Sequence, residues 1–211
     1  AEGNPFYMEE LVKMLIDRGA IAAAGSTWTL DPQRWLQTEI PATLVGVLQA
    51  RLDSLPERER QALQGASVIG HVFWDQTLAA LDARAPAALP ALQRRELALP
   101  RNDAAAADDV REFAFSHKIL HDVTYDTVLK RRRRDLHARA ADWLASHSGT
   151  RAGEWLAAAA EHYARAGQLP QAAEFFARAA EHARSRHAHE AALAHAARAL
   201  ALLDGADTAT P

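Results

Sequence analysis

Cysteine is missing from this sequence altogether. That excludes a disulfide framework and any thiolate-ligated metal. Lysine is nearly missing too: Lys13, Lys118 and Lys130 stand against a large excess of arginine, a bias that fits a GC-rich bacterial genome. No run approaches the roughly 18 apolar residues that a membrane span needs. Neither end reads as a signal peptide, so a cytoplasmic location without membrane attachment is the expectation. Excess positive charge is lacking as well. The formal net charge is −3, which argues against a strongly basic nucleic-acid binder. No Gly-x-x-x-x-Gly-Lys-Ser/Thr loop occurs, no Ser or Thr stands in a nucleophile elbow, and Asp108-Asp109 falls in a polar loop. Catalysis by this chain alone is therefore not expected.

What is present favours helix. Ala, Leu, Arg and Glu dominate the 211 residues, while aromatics make up 7%, so small and branched aliphatic side chains must fill most of the core. Pro5 lies just inside a first helix, where its missing N–H costs little. Phe6, Leu11, Leu15 and Ile16 form that helix's apolar stripe, and Gly19 ends it. Ala20-Ile21, a Gly25-Ser26 turn and Trp28-Thr29-Leu30 read as a small β-hairpin, broken by Asp31-Pro32.

A second block opens at Ile40-Pro41. Leu44, Val47, Leu48, Leu52 and Leu55 recur at helical spacing up to Pro56. Further helices are expected over 57–68, with Leu63, Ala66 and Ser67 inward and Gly70 at its end, then over 73–81 and 89–97. Leu97–Pro100 and Val110–Phe115 alternate like paired strands around a polar tip, Asn102–Asp109. Helices followed by a β-hairpin is the order of a winged helix. A plain helical bundle with Phe113 and Phe115 in its core is the other arrangement this pattern allows.

From His117 onward the pattern is helical, with Gly149 and Gly153 interrupting it. Trp155–Ala166 and Gln171–Arg184 flank a Gly167-Gln168-Leu169-Pro170 turn. Tyr163, Gly167, Ala173, Phe176 and Ala180 resemble the small-and-aromatic pattern of tetratricopeptide (TPR) helix pairs. His189–Leu203 supplies another amphipathic helix, and Gly205–Pro211 reads as a flexible tail. Because such repeats bury their faces on neighbours, the array is expected to continue past Pro211.

Together these pieces resemble the signal-transduction ATPases called STAND proteins, above all bacterial modules joined to LuxR-type regulators or nucleotidyl cyclase domains. The resemblance is carried by Glu2-Gly3-Asn4-Pro5-Phe6-Tyr7-Met8-Glu9-Glu10-Leu11, by Ile40-Pro41-Ala42-Thr43-Leu44 leading to Ala50-Arg51-Leu52-Asp53-Ser54-Leu55-Pro56, by Ala66-Ser67-Val68-Ile69-Gly70, by Phe115-Ser116-His117-Lys118-Ile119-Leu120, and by Leu136-His137. Each motif is weak alone; the ordered series spans nearly the whole chain. It implies the end of a helical lid at 1–39, a winged helix with a small β-hairpin at 40–135, and TPR-like antiparallel helical repeats at 136–211, mainly α throughout. The chain would be the regulatory and sensor arm of a larger ATP-binding regulator. Its partners would be an upstream P-loop ATPase domain, an effector domain or protein, and possible further copies of itself.

Two segments inherit a nucleotide role from the resemblance. The family's Gly-x-Pro motif sets its proline against adenine, which maps onto Gly3 and Pro5. Related switches end their winged helix in Met-His-Asp, whose histidine contacts the β-phosphate of ADP. His117 matches that histidine, while Lys118 stands where the aspartate would be. ATP or ADP would thus be a ligand of the parent protein, not of this chain alone. The plainer readings are an ordinary helix start at Pro5 and a helix-capping His117.

Other functions compete. Arg94 and Arg95 on the helix before the hairpin would serve a DNA-binding winged-helix regulator; a free-standing TPR scaffold would bind peptides instead. The run Lys130-Arg131-Arg132-Arg133-Arg134 suits a solvated face or an acidic partner better than DNA. His117 and His121 have the spacing of two metal ligands, with Asp122 as a third, but the glutamate of His-Glu-x-x-His is missing. His187, His189 and Glu190 make a weaker cluster, and no metal is expected. Trp28, Trp35, Trp74, Trp143 and Trp155 are expected to pack in cores or between domains.

Overall fold

A computed structural model describes residues 5–24, 27–101, 111–147 and 152–207. Among them the chain is mainly helical, with eleven α-helices and two small antiparallel sheets. Two compact units result: Ala1–Leu78 with Arg84–Thr127, and Ala79–Ala83 with Val128–Pro211. The division expected at 135/136 falls inside a helix, Lys130–Ser146.

In the first unit, α1 (Pro5–Asp17) stops at Gly19, whose φ of 68° is left-handed and costs glycine nothing. Its buried face overlaps the stripe read from the sequence only at Leu15, with Leu11 partly buried beside it. Tyr7, Glu10, Met14 and Leu15 are inside, whereas Ile16 is exposed. Strands β1 (Ile21–Ala24) and β2 (Thr27–Leu30) pair as expected; the turn between them lies outside the described residues. Asp31-Pro32 does not simply break the hairpin. Asp31 caps α2 (Pro32–Gln37) by accepting from the Gln33 and Arg34 amides, with Pro32 at the first helical position.

Helix α3 (Leu44–Asp53) is capped by Thr43, whose hydroxyl accepts from the Gly46 amide at 3.1 Å. A small apolar cluster joins Tyr7, Met14, Leu15 and Ala20 to Val47 and Ala50 of α3. Helix α4 (Glu57–Ile69) buries Leu63, Ala66 and Ser67, as its periodicity requires. The stretch that follows departs from expectation. Val72–Trp74 forms strand β3 instead of opening a helix, and α5 (Asp75–Leu81) begins only afterwards. Two β-branched or aromatic neighbours and a partner strand outweigh the local helical pattern. A 3-10 turn at Ala85–Ala88 leads into α6 (Leu89–Arg94), shorter than expected because Glu96 adopts a left-handed φ of 56°.

Strands β4 (Ala98–Pro100) and β5 (Glu112–Phe115) pair as the alternation implies, and the tip Asn102–Asp109 lies outside the described residues. The sheet order is β3-β5-β4, with Phe73 opposite Phe113 and Ala98 opposite Phe115. Phe73 sits 5.8 Å from the Phe113 ring and 5.9 Å from the Phe115 ring, all three buried. Helix α7 (Lys118–Thr127) closes this unit against α3 and α4.

The second unit stacks α8 (Lys130–Ser146), α9 (Ala152–Ala166), α10 (Leu169–Ser185) and α11 (His189–Asp207) in sequence order. Successive helices run antiparallel. Tyr163 meets Phe175 at 5.2 Å while Gly153 lies beside His182, so rising numbers on one helix face falling numbers on the next. Gly167, at φ 83°, makes the tight α9–α10 turn. Phe176 is buried among alanines, with His195 stacked on its ring at 6.2 Å and the Arg198 guanidinium 5.1 Å away. Helix α11 runs through Asp207, taking in the first part of the segment expected to be a loose tail.

Candidate functional site

The two segments given a nucleotide role converge, as far as they are described. Gly3 lies outside the described residues; Pro5 is exposed at the start of α1. Phe6, the next residue, sets its ring edge-on against His117, with centroids 4.2 Å apart. His117 is half-buried immediately before α7. Residues 6 and 117 meet because α1 packs on α3, α3 on α7, and β5 delivers His117 to the same edge.

Two carboxylates complete this corner. Ligand atoms of Glu9, Glu10 and His117 all lie within 4.8 Å of one another, which is the one metal-compatible group among the described residues. It is already supplied with cations. Lys13 Nζ bonds Glu9 Oε1 at 2.6 Å and approaches Glu10 Oε1 at 3.4 Å. The Lys13 hydrogen bond, then its charge, holds the Glu9 carboxyl below the usual carboxylate range, with His117 adding a smaller pull. Arg51 takes the other Glu10 oxygen, its Nη1 2.5 Å from Oε2. The corner can present an imidazole beside a balanced set of charges, and its carboxylates have protein partners.

His117 and His121, whose spacing alone would suit two metal ligands, do not come together as a pair. Both His121 ring nitrogens are used elsewhere, Nε2 at 3.0 Å from the Ser67 carbonyl and Nδ1 at 2.9 Å from Asp122. Asp122 in turn holds Lys118. His187 and His189 face each other at 6.1 Å on an exposed surface. Arg95, assigned to a DNA reader, is committed to Asp17 at 2.8 Å and Glu59 at 3.1 Å. Lys130, Arg131, Arg132 and Arg134 are exposed on the first turns of α8, while Arg133 Nε donates to the Val128 carbonyl at 2.6 Å. Of the tryptophans, Trp28 and Trp35 are exposed; Trp74 donates to Glu112, and Trp155 packs on Trp143 at 5.4 Å.

Sequence reading overlooked two buried polar arrangements. One is a chain of ion pairs in the first unit: Glu10–Arg51–Asp17–Arg95–Glu59, with Lys13 bridging to Glu96 at 2.8 Å. Its signal was available, since Arg51 interrupts the apolar set Val47-Leu48-Leu52-Leu55 on the inward face of α3. The other joins α8 to α9. His137 and His162 are buried with their Nδ1 atoms 2.8 Å apart, so one donates and the other accepts. Beside them Tyr163 donates to Asp142 at 2.9 Å. No spacing rule links positions 137 and 162.

Comparison with known proteins returns no matching family model, curated protein or solved structure.

Proposed function

We propose that this chain is the regulatory and sensor arm of a bacterial STAND-type regulator: the end of a lid, a winged helix, and the first TPR-like helices. The observation that carries the reading is the contact of Phe6 with His117. Two segments to which the resemblance gives a nucleotide role share one corner, through Phe6, the neighbour of Pro5, and His117. Support also comes from the order α4, β3, α5, α6, β4, β5 with sheet order β3-β5-β4. A first strand inserted after one helix and paired with the last strand is how a winged helix is built. The antiparallel helices α8 to α11, packed through alanines and the Phe175-Phe176 pair, suit TPR-like repeats.

In this reading the parent protein's ATPase domain holds the phosphates, and the corner of Phe6 and His117 faces them. An imidazole N–H donates to a phosphate oxygen, and a nearby phosphate stabilises the protonated ring. ADP would then favour one arrangement of lid and winged helix and ATP another, as a shift between populations. The DNA-reading alternative loses Arg95 to its ion pairs.

The test uses the full-length protein. His117→Ala is expected to shorten ADP retention through desalting by roughly tenfold, the value of one charge-assisted hydrogen bond. Retention equal to wild type removes His117 from the mechanism. A gene with no P-loop upstream of Ala1 removes the whole reading.

A further inference from the structure

We propose that α1, with the hairpin after it, is a detachable latch held on the rest of the first unit by an ionic lock centred on Arg51. The proposal does not depend on the nucleotide reading. Arg51 is 1% exposed and engages through three nitrogens. Nη1 takes Glu10 and Nε takes Asp17, both on α1, while Nη2 donates to the Arg95 carbonyl at the end of α6, 2.8 Å away. Asp17 is shared, since its second oxygen accepts from Arg95 Nη1. Lys13 adds the third tie, to Glu96 just past α6. Glu10, Lys13 and Asp17 of α1 therefore reach α3 or the end of α6, while Glu9 bonds Lys13 within the helix.

On the latch side the apolar part of the same contact is Tyr7, Met14, Leu15 and Ala20, with Leu11 and Ile21 partly buried, and Tyr7 donates to the Pro41 carbonyl at 2.7 Å. From α3 it uses Val47 and Ala50, with Leu44 partly buried. Strand β2 is exposed along its length, so the hairpin adds little to the hold. Burying charges costs desolvation that their attraction largely returns, so the ionic share of the hold is modest, yet removing one partner leaves the others stranded. The outer members sit at the wall of a groove of about 540 Å³, lined in part by Met8, Val12, Ile16 and Trp28. Salt or a competing ion reaches them there, whereas Glu10 and Arg51, which also borders the groove, are 1% exposed.

Hydrogen exchange on the full chain tests the latch. In Arg51→Met, α1 amides are expected to exchange about 100-fold faster, while α4 amides stay within about twofold of wild type, as separate cooperative elements allow. Asp17→Asn keeps the Arg51–Glu10 pair and is expected to raise α1 exchange about tenfold; it carries the test if Arg51→Met does not fold. An equal rise in α1 and α4 overturns the proposal, because Arg51 would then be ordinary core of one cooperative unit. Unchanged α1 exchange in Asp17→Asn overturns it too.

Discussion

Acidifying the protein from pH 7 to pH 4 will loosen the α8–α9 pair, and His137→Asn will remove much of that sensitivity. Burial is the main cause: it drives the His137 pKa from 6.5 to about 3, with His162, Arg165 and Arg133 adding smaller repulsions. The sign follows from proton counts. Between pH 6.5 and about 3 the unfolded chain binds a proton at position 137 that the folded chain refuses. Stability is therefore intact above 6.5 and falls as pH drops towards 3. A displacement of this size corresponds to roughly 4–5 kcal/mol when fully developed. Asparagine places an amide where the Nδ1 atom was and does not titrate. The variant will be weaker at pH 7 because of the void it leaves, yet its unfolding midpoint in urea will change less with pH. NMR titration of the imidazole Cε1–H signals gives a direct check. A His137 signal that titrates above pH 5.5 would end the argument.

The second large effect belongs to Phe73. Replacing it with alanine removes a ring that is fully buried between Phe113 and Phe115. The expected cost is about 3–5 kcal/mol, from lost transfer energy and the cavity left behind. Phe73→Leu keeps most of the volume and should cost less than about 1.5 kcal/mol. Urea unfolding of both variants separates the outcomes. If alanine costs under 1 kcal/mol, the three-stranded sheet is not the centre of the first unit.

Phe73 also marks where local reading of the sequence fails. Its segment was legible as apolar, but strand β3 owes its form to β5, some forty positions away by number, and no local periodicity carries that information. The β4–β5 hairpin was legible because its alternation lies within the strands themselves. Helices α3, α4, α9 and α10 were legible for the same reason, as their apolar spacing and the Gly167 turn are local signals. Helix α2 could have been read from Asp31-Pro32, a capping residue followed by a proline at the first position, had the pair been weighed as a start and not as a break.

The candidate corner was half legible. Pro5 and His117 came from the family resemblance, and Phe6, read as part of an apolar stripe, makes the contact. Glu10 and its partner Arg51 lie on different helices; a lone charge on an apolar face is a warning in each sequence segment, and only folding matches the two warnings. Leu136-His137 stood out only as a motif of the resemblance, and nothing in the sequence paired His137 with His162. A histidine on a helix is only of intermediate tendency to be buried, so neither position declares itself as core.

The scarcity of lysine turns the ion pairs of α1 into something visible by simple chemistry. Lys118 and Lys130 are open to solvent, while Lys13 is 19% exposed and clasped by Glu9, Glu10 and Glu96. Burial would ease its proton off, but its bonds to Glu9 and Glu96 outweigh that and raise its pKa. An amine-reactive reagent needs the free base, so it will acylate Lys118 and Lys130 first and spare Lys13. Mass spectrometry of a tryptic digest then reads the state of α1 from one side chain: acetyl on Lys13 reports molecules in which the helix had let go.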